Sequence, residues 1–206
     1  MKNFISVYDN ALERDECSSI LKFFEESDVC ENPYATDYCC KKPGKVGIGV
    51  EANFKDSTDI GMTFNHGHHF VNQIIMESLS KHLHEYMNEN PELRLISKWG
   101  VSENYNIQKY TPGQGYYSLH CENCDVESNK RVLVWMFYLN TVPGDGGTYF
   151  SNYDFTTDAV EGRLVIWPAY WTHCHKGVIS HSHKKYIATG WCEKVEKATP
   201  IKKIKN

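Results

Sequence analysis

The chain has 206 residues, 41% of them hydrophobic, which is enough for one well-filled core and makes a single domain the default. Its formal net charge is -4 and its Lys and Arg residues are scattered except in the closing "KATPIKKIKN", which argues against a nucleic-acid partner. The opening "MKNFISVYDN" lacks the apolar stretch of a secretory signal, and no run of about 18 apolar residues occurs later, so the expectation is a soluble cytoplasmic protein that does not cross a membrane.

In chain order, "DNALERDECSSILKFFEES" opens on an Asp/Asn cap and places Leu12, Cys17, Ile20, Leu21 and Phe24 at helical spacing, predicting a packing helix. Residues 30–63 mix Gly, Pro, Lys and Asp without helical period, which predicts an irregular strand-and-loop segment able to act as a lid. A second helix is predicted over "HHFVNQIIMESLSKHLHEYMNENP", with Phe70, Ile74, Leu79, Leu83, Tyr86 and Met87 along one side. His66, His68 and His69 precede it and read more readily as solvated or capping groups than as metal ligands.

After Leu95 the texture becomes β: "ENYNIQKY", "YYSLHCE", "RVLVWMFYLN", "GTYFSNYDF", "GRLVIWP" and "KKYIATGW" are separated by Gly, Pro, Asn and Asp turns. Helices followed by six or more strands predict one domain over 1–206: a helical and lid-like part to about residue 95, a β barrel or sandwich over about 96–195, and a basic tail. Gly146, Gly147 and Gly162 are expected to be turn residues at positive φ.

Eight cysteines are too sparse and irregular for a disulfide scaffold in a chain this long, so most are expected to be reduced thiols. A zinc site from Cys39, Cys40, Cys121 and Cys124 is an alternative, although adjacent cysteines match the usual knuckle poorly.

The stretch "LHCENC" carries both an H-x-E (His120, Glu122) and a C-x-x-C (Cys121, Cys124). Side chains two apart share a face of a strand, so one site cannot easily combine His120 and Glu122 with Cys121. The segment "WTHCHKG" adds His173 and His175, and two histidines with one carboxylate suit a non-haem Fe(II) site. For H-x-E alone, histidines hydrogen-bonded in a core are the more economical reading.

The pieces "YTPGQGYYSLHCE", "RVLVWMFYLN", "GDGGTYF", "EGRLVIWPAYWTHCHKG" and "KYIATGW", in that order and spacing, resemble the 2-oxoglutarate and Fe(II)-dependent oxygenases of the prolyl 4-hydroxylase type, over about Tyr105 to Trp191. The resemblance implies a mainly β fold, a double-stranded β-helix (jelly roll) with supporting helices, using Fe(II), 2-oxoglutarate and O2, with ascorbate as an accessory reductant. It implies His120, Glu122 and His175 as metal ligands, with glutamate where the family usually has aspartate; Asp125 is the less favoured substitute. Lys185, ten after His175, matches the lysine that pairs with the 2-oxoglutarate C5 carboxylate, and Trp191 fixes that register against Lys184 and His173. Tyr110 and Tyr138 match residues of the co-substrate pocket, and Tyr117, Arg131 and Trp191 match substrate contacts.

Arg131 stands seven before Tyr138, so the two face opposite sides unless a bulge intervenes. The substrate implied is proline in a peptide or protein. A free amino acid or other small molecule is the alternative within the enzyme class, and an inert jelly-roll or zinc-stabilised module the alternative outside it.

Overall fold

The computed structural model describes residues 2–31, 38–46, 49–65 and 69–195. Twelve strands run β1 (Ser6–Tyr8), β2 (Lys41–Pro43), β3 (Lys55–Asp56), β4 (Thr58–Thr63), β5 (Trp99–Tyr110), β6 (Gly115–Tyr116), β7 (Arg131–Tyr138), β8 (Thr148–Phe150), β9 (Phe155–Thr157), β10 (Leu164–Pro168), β11 (His175–Gly177) and β12 (Lys185–Lys194), with helices α1 (Arg14–Glu26) and α2 (Phe70–Glu89). The large sheet has the order β1-β10-β7-β12-β5-β4-β2. Facing it are a sheet of order β11-β8-β9 and the pair β3-β6, joined by an antiparallel bridge between His120 and His175. The whole is a jelly roll backed by two helices, as the sequence implies.

Alternation along β7 shows how one strand serves two compartments. Leu133, Trp135 and Phe137 join Ile107, Leu164 and Ala188 under the helices. Val134, Met136 and Tyr138 join Phe150, Val165, Trp167 and Ile187 between the sheets. The helices therefore seal the outer face of the large sheet and leave its inner face to line a site.

Helix α1 begins later than its Asp/Asn pair suggests. Its cap is Glu13, whose backbone N–H donates to Glu16 Oε2 at 2.8 Å in a capping box. In α2 the buried side is Val71, Asn72, Ile75, Leu79, His82, Leu83 and Tyr86, while Phe70 is exposed and Ile74 and Met87 are only partly covered. The expected apolar stripe is thus rotated, because two polar side chains occupy the inner face with their hydrogen bonds made: Asn72 donates to Thr63 O (2.8 Å) and accepts from Tyr105 (2.7 Å), and His82 bonds Ser78 O (2.8 Å). His69 caps α2, accepting at Nδ1 from Val71 N–H; His66 and His68 lie outside the described residues.

The lid-like reading of 30–63 needs correction. β4 is an interior strand of the large sheet between β2 and β5, with Ile60 and Met62 in the core, so 58–63 is scaffold. From the stretch before it Lys42, Pro43, Lys45, Val46, Phe54 and Lys55 line a cavity, which Asp59 of β4 also reaches. Cys30 and Cys40 form a disulfide, which removes Cys40 from any zinc set and departs from the expectation of reduced thiols at these two positions; the other six cysteines are free. Gly146 and Gly162 take positive φ (73° and 77°), as expected. Gly147 does not, and is required for space: a Cβ there would stand 1.9 Å from Thr157 O. The basic tail lies outside the described residues.

Candidate functional site

The extended run expected over "YYSLHCE" is shorter than predicted. β6 ends at Tyr116, Tyr117 N–H donates to Phe54 O at 2.8 Å, and His120 and His175 then exchange backbone hydrogen bonds of 3.0 and 2.8 Å. Glu122 N–H then donates to Ala169 O at 3.0 Å. These bonds fix both segments at backbone level and bring His120 Nε2, His175 Nε2 and a Glu122 oxygen within 4.8 Å of one another.

The ring orientation of each histidine is set from behind. His120 Nδ1 lies 3.0 Å from Ser118 O and His175 Nδ1 lies 2.9 Å from His173 O. A carbonyl accepts, so Nδ1 carries the proton and Nε2 presents a lone pair. Two lone pairs then converge on Glu122 Oε1, at 3.3 and 3.6 Å. Three electron-pair donors aimed at one point repel unless a cation or proton sits among them, and the set of two imidazoles and one carboxylate fits Fe(II). Burial alone would raise the Glu122 carboxyl; hydrogen bonds and positive charge from His120 and His175, when those rings also hold an Nε2 proton, pull it well below the usual carboxylate range, and with both rings neutral a bound cation would act in the same direction. Burial pushes His175 the other way, favouring the neutral ring a metal needs.

The second oxygen of Glu122 has its own partners. Trp191 Nε1–H donates to Oε2 at 2.9 Å, Arg131 donates to it at 3.2 Å, and the guanidinium stacks 3.8 Å from the Trp191 ring centroid. Arg131 reaches this face through a bulge. Cys192 pairs with Leu133 but Glu193 pairs with Arg131, so Val132 is the extra residue and Arg131 turns to the inner side with Val134 and Met136. Arg131 and Trp191, expected at the substrate, are engaged with the carboxylate of Glu122.

A cavity of about 830 Å³ opens on these groups and runs inward to Lys185. Along β12 the residues Lys185, Ile187, Thr189 and Trp191 all line it, while Lys184 is exposed outside. Lys185 is buried opposite Tyr110, its Nζ 5.0 Å from that ring, and among the described residues no acceptor bonds it. Burial lowers its pKa to about 8, with Asp145 opposing. The other buried cation of the cavity, Lys55, is already committed to Asp59 at 2.6 Å.

Two predicted positions, Tyr117 and Tyr138, are not brought to the cavity. Tyr117 points away and donates to Gly113 O (2.9 Å), and the neighbouring Tyr116 takes the place, stacked on His120 at 3.7 Å. The register was open to this error because "YY" offers no sign of which ring faces in. Tyr138 lies beneath the wall with its hydroxyl shared between Thr148 and Thr157, both at 2.8 Å. His173, the alternative to His175, spends its ring nitrogens on Asn3 O and Thr172 Oγ1. Asp125 caps a turn, accepting from Ser128 N–H at 2.7 Å, and is not part of the three-donor cluster. Gln108, Thr148 and Lys55 line the cavity without having been singled out in the sequence; burial of polar side chains on strands is not legible there.

A jelly roll with two histidines and a carboxylate converging beside a cavity is an arrangement that suits an Fe(II)-dependent oxygenase. Residues 105–193 match the model of the 2OG-Fe(II) oxygenase superfamily. Solved structures similar to this one include a collagen prolyl hydroxylase of Paramecium Bursaria Chlorella virus-1 in its 2OG complex, 20% identical, covering 93% of this chain and 97% of that one, with a TM-score of 0.62. A Pseudomonas putida prolyl-4-hydroxylase is 15% identical over 94% of both chains (TM-score 0.63). A Trichoplax adhaerens prolyl hydroxylase in complex with a hypoxia inducible factor peptide fragment is 16% identical over 94% of this chain and 84% of that one (TM-score 0.63). No curated protein matches in sequence. The jelly-roll core, residues 105–193, thus matches the 2OG-Fe(II) oxygenase superfamily, and the chain shares the fold of these prolyl hydroxylases.

The hold on Glu122 Oε2 generates a prediction. Trp191→Phe keeps the aromatic stack but deletes the N–H donor, and loss of such an outer partner weakens metal binding about 10–100-fold. Anaerobic titration with Mn(II) or Fe(II) checks this; an unchanged affinity would mean that Trp191 does not orient the carboxylate.

Proposed function

We propose that the chain hydroxylates proline within a peptide or protein, coupling the reaction to conversion of 2-oxoglutarate to succinate. The observation that carries the reading is the polar layout of one cavity: three convergent donors at its mouth and, deeper, a buried ammonium without an acceptor among the described residues. In this reading His120, Glu122 and His175 hold Fe(II), and Lys185 binds the distal carboxylate of 2-oxoglutarate. When bound, iron and 2-oxoglutarate supply oxidative decarboxylation, which places one oxygen atom of O2 in succinate and the other in a substrate C–H bond.

The chain's own part is positional. Ser118 O and His173 O hold the imidazoles in one tautomer, and Trp191 and Arg131 hold one carboxylate oxygen so that the other faces the histidines. Tyr116 lies flat on His120 and restricts that ring's rotation. A buried ammonium is costly to keep charged, and an incoming carboxylate relieves that cost, so Lys185 draws the anionic end of the co-substrate inward and leaves its 2-oxo acid end toward the three donors.

The peptide assignment is supported by the fold shared with prolyl hydroxylases, one of them in complex with a peptide. Pro43, Lys45, Val46 and Phe54 line the same cavity of about 830 Å³. Among the described residues no helix is long and apolar enough to cross a membrane. The cytoplasmic placement expected from sequence competes with the Cys30–Cys40 disulfide, of a kind that persists in oxidising compartments. Ascorbate as accessory reductant belongs to the same proposal.

A turnover screen tests the substrate. Proline-containing peptides should stimulate succinate formation above the uncoupled background and gain one oxygen on proline; oxidation of free amino acids with none of any peptide would contradict the peptidyl assignment.

Lys185 adds a pH prediction. Its depressed pKa of about 8 means the charged form that binds a carboxylate is present below that pH and lost above it. Affinity for 2-oxoglutarate, measured calorimetrically with Mn(II) present, should hold steady up to about pH 8 and then fall by up to about tenfold per unit. Lys185→Arg should remove the fall, since a guanidinium stays charged. A flat profile in the unaltered protein would contradict the depressed pKa, and undiminished 2-oxoglutarate affinity in a folded Lys185→Ala would rule out Lys185 as the carboxylate partner.

A further inference from the structure

The C-x-x-C of "LHCENC" is left unused by the metal site, and the fold gives one of its thiols a different neighbour. His120 and His175 form a hydrogen-bonded antiparallel pair, each N–H donating to the other's carbonyl. The positions next to them, Cys121 and Cys174, therefore face one another as a non-hydrogen-bonded pair, where Cα atoms of opposed residues approach to about 4.5 Å. A disulfide needs Cα atoms about 4.4–6.8 Å apart. The thiols are in contact, Cys174 being among the groups that raise the Cys121 thiol, and both side chains are partly exposed.

Cys124 is placed differently. By Glu122 the backbone has left this pairing, with its N–H on Ala169 O. Cys124 then enters a turn in which its own N–H donates to Ser128 Oγ at 3.1 Å and its thiol approaches Asp125 Oδ2 at 3.9 Å. Closing a bond from Cys121 to Cys124 requires undoing that turn, whereas closing one to Cys174 requires releasing the thiol contacts to Asn123 O (3.6 Å) and Trp171 O (3.1 Å).

We propose that Cys121 and Cys174 are a redox modification site, a cross-strand dithiol that a small disulfide such as oxidised glutathione converts to a reversible disulfide. One thiolate of the pair attacks the glutathione disulfide, forming a mixed disulfide and expelling one glutathione thiolate. The second cysteine thiolate attacks the protein-bound sulfur of that mixed disulfide and expels the other glutathione. The two cysteine sulfurs are oxidised, glutathione disulfide is reduced to two glutathione thiols, and the two cysteine protons end on those thiols. The product joins by a covalent bond the two segments that carry His120 and His175. The site stands on strand pairing alone and does not depend on the oxygenase reading.

The test uses the intact protein. It is incubated with oxidised glutathione, its remaining thiols are blocked with N-ethylmaleimide, and the digest is mapped by mass spectrometry. The expected product is a Cys121–Cys174 linked peptide with Cys124 blocked as a free thiol, reversed by dithiothreitol and retained in Cys124→Ser. In Cys174→Ser the reaction should stop at glutathione on Cys121. A Cys121–Cys124 link, or blocked thiols at both Cys121 and Cys174 after oxidation, would overturn the proposal; mapping the unaltered protein decides this even if a variant fails to fold.

Discussion

Two backbone hydrogen bonds, exchanged between His120 and His175, are the constraint on which the site depends. The seven-stranded sheet is continuous and well buried, but it supplies only one wall. The opposite wall is two short pieces, β3-β6 and β11-β8-β9, joined by the His120–His175 bridge together with the bond from Gly113 N–H to Ser180 O at 2.8 Å. Because the joint is made by the residues whose imidazoles converge, forming the fold and forming the site are one event. The rigid sheet behind then adds Lys185 and Trp191 from a single strand, at a depth set by the pleat.

Charge is divided along the cavity accordingly. At the mouth Glu122 meets two imidazoles on one oxygen and Trp191 and Arg131 on the other, so the carboxylate is fully engaged although mostly buried. Inside, Lys185 has an aromatic face and a distant Asp145 in place of a carboxylate. In the proposed function an anionic ligand completes this half-built ion pair, which gives co-substrate binding its direction. Glutamate at position 122 fits this layout: its extra methylene relative to aspartate lets one carboxylate reach the histidines and the indole together.

Much of this was legible in the sequence, because strand alternation is a strong rule. The β-rich half follows from periodicity, whereas the set His120, Glu122 and His175 and the register of Lys185 and Trp191 were legible only through the family resemblance of motifs in order. What was hidden has physical causes. A one-residue bulge at Val132 turns Arg131 inward, and bulges leave no mark in composition. Tyr116 and Tyr117 are chemically alike, so only the pairing of β3 with β6 tells which ring faces the metal ligands. The inner face of α2 carries Asn72 and His82, whose hydrogen bonds make burial tolerable but break the apolar stripe. The Cys30–Cys40 disulfide depends on spatial proximity that spacing does not reveal.

The central claim is that Glu122, and not the nearby Asp125, completes the metal site with His120 and His175. Anaerobic Fe(II) titration of Glu122→Ala and Asp125→Ala beside the unaltered protein measures it directly, with circular dichroism to confirm that each variant is folded. The account predicts that iron binding is lost in Glu122→Ala and retained in Asp125→Ala, whose carboxylate serves only the turn at Ser128. Full iron binding by a folded Glu122→Ala, or its loss in a folded Asp125→Ala, would contradict it.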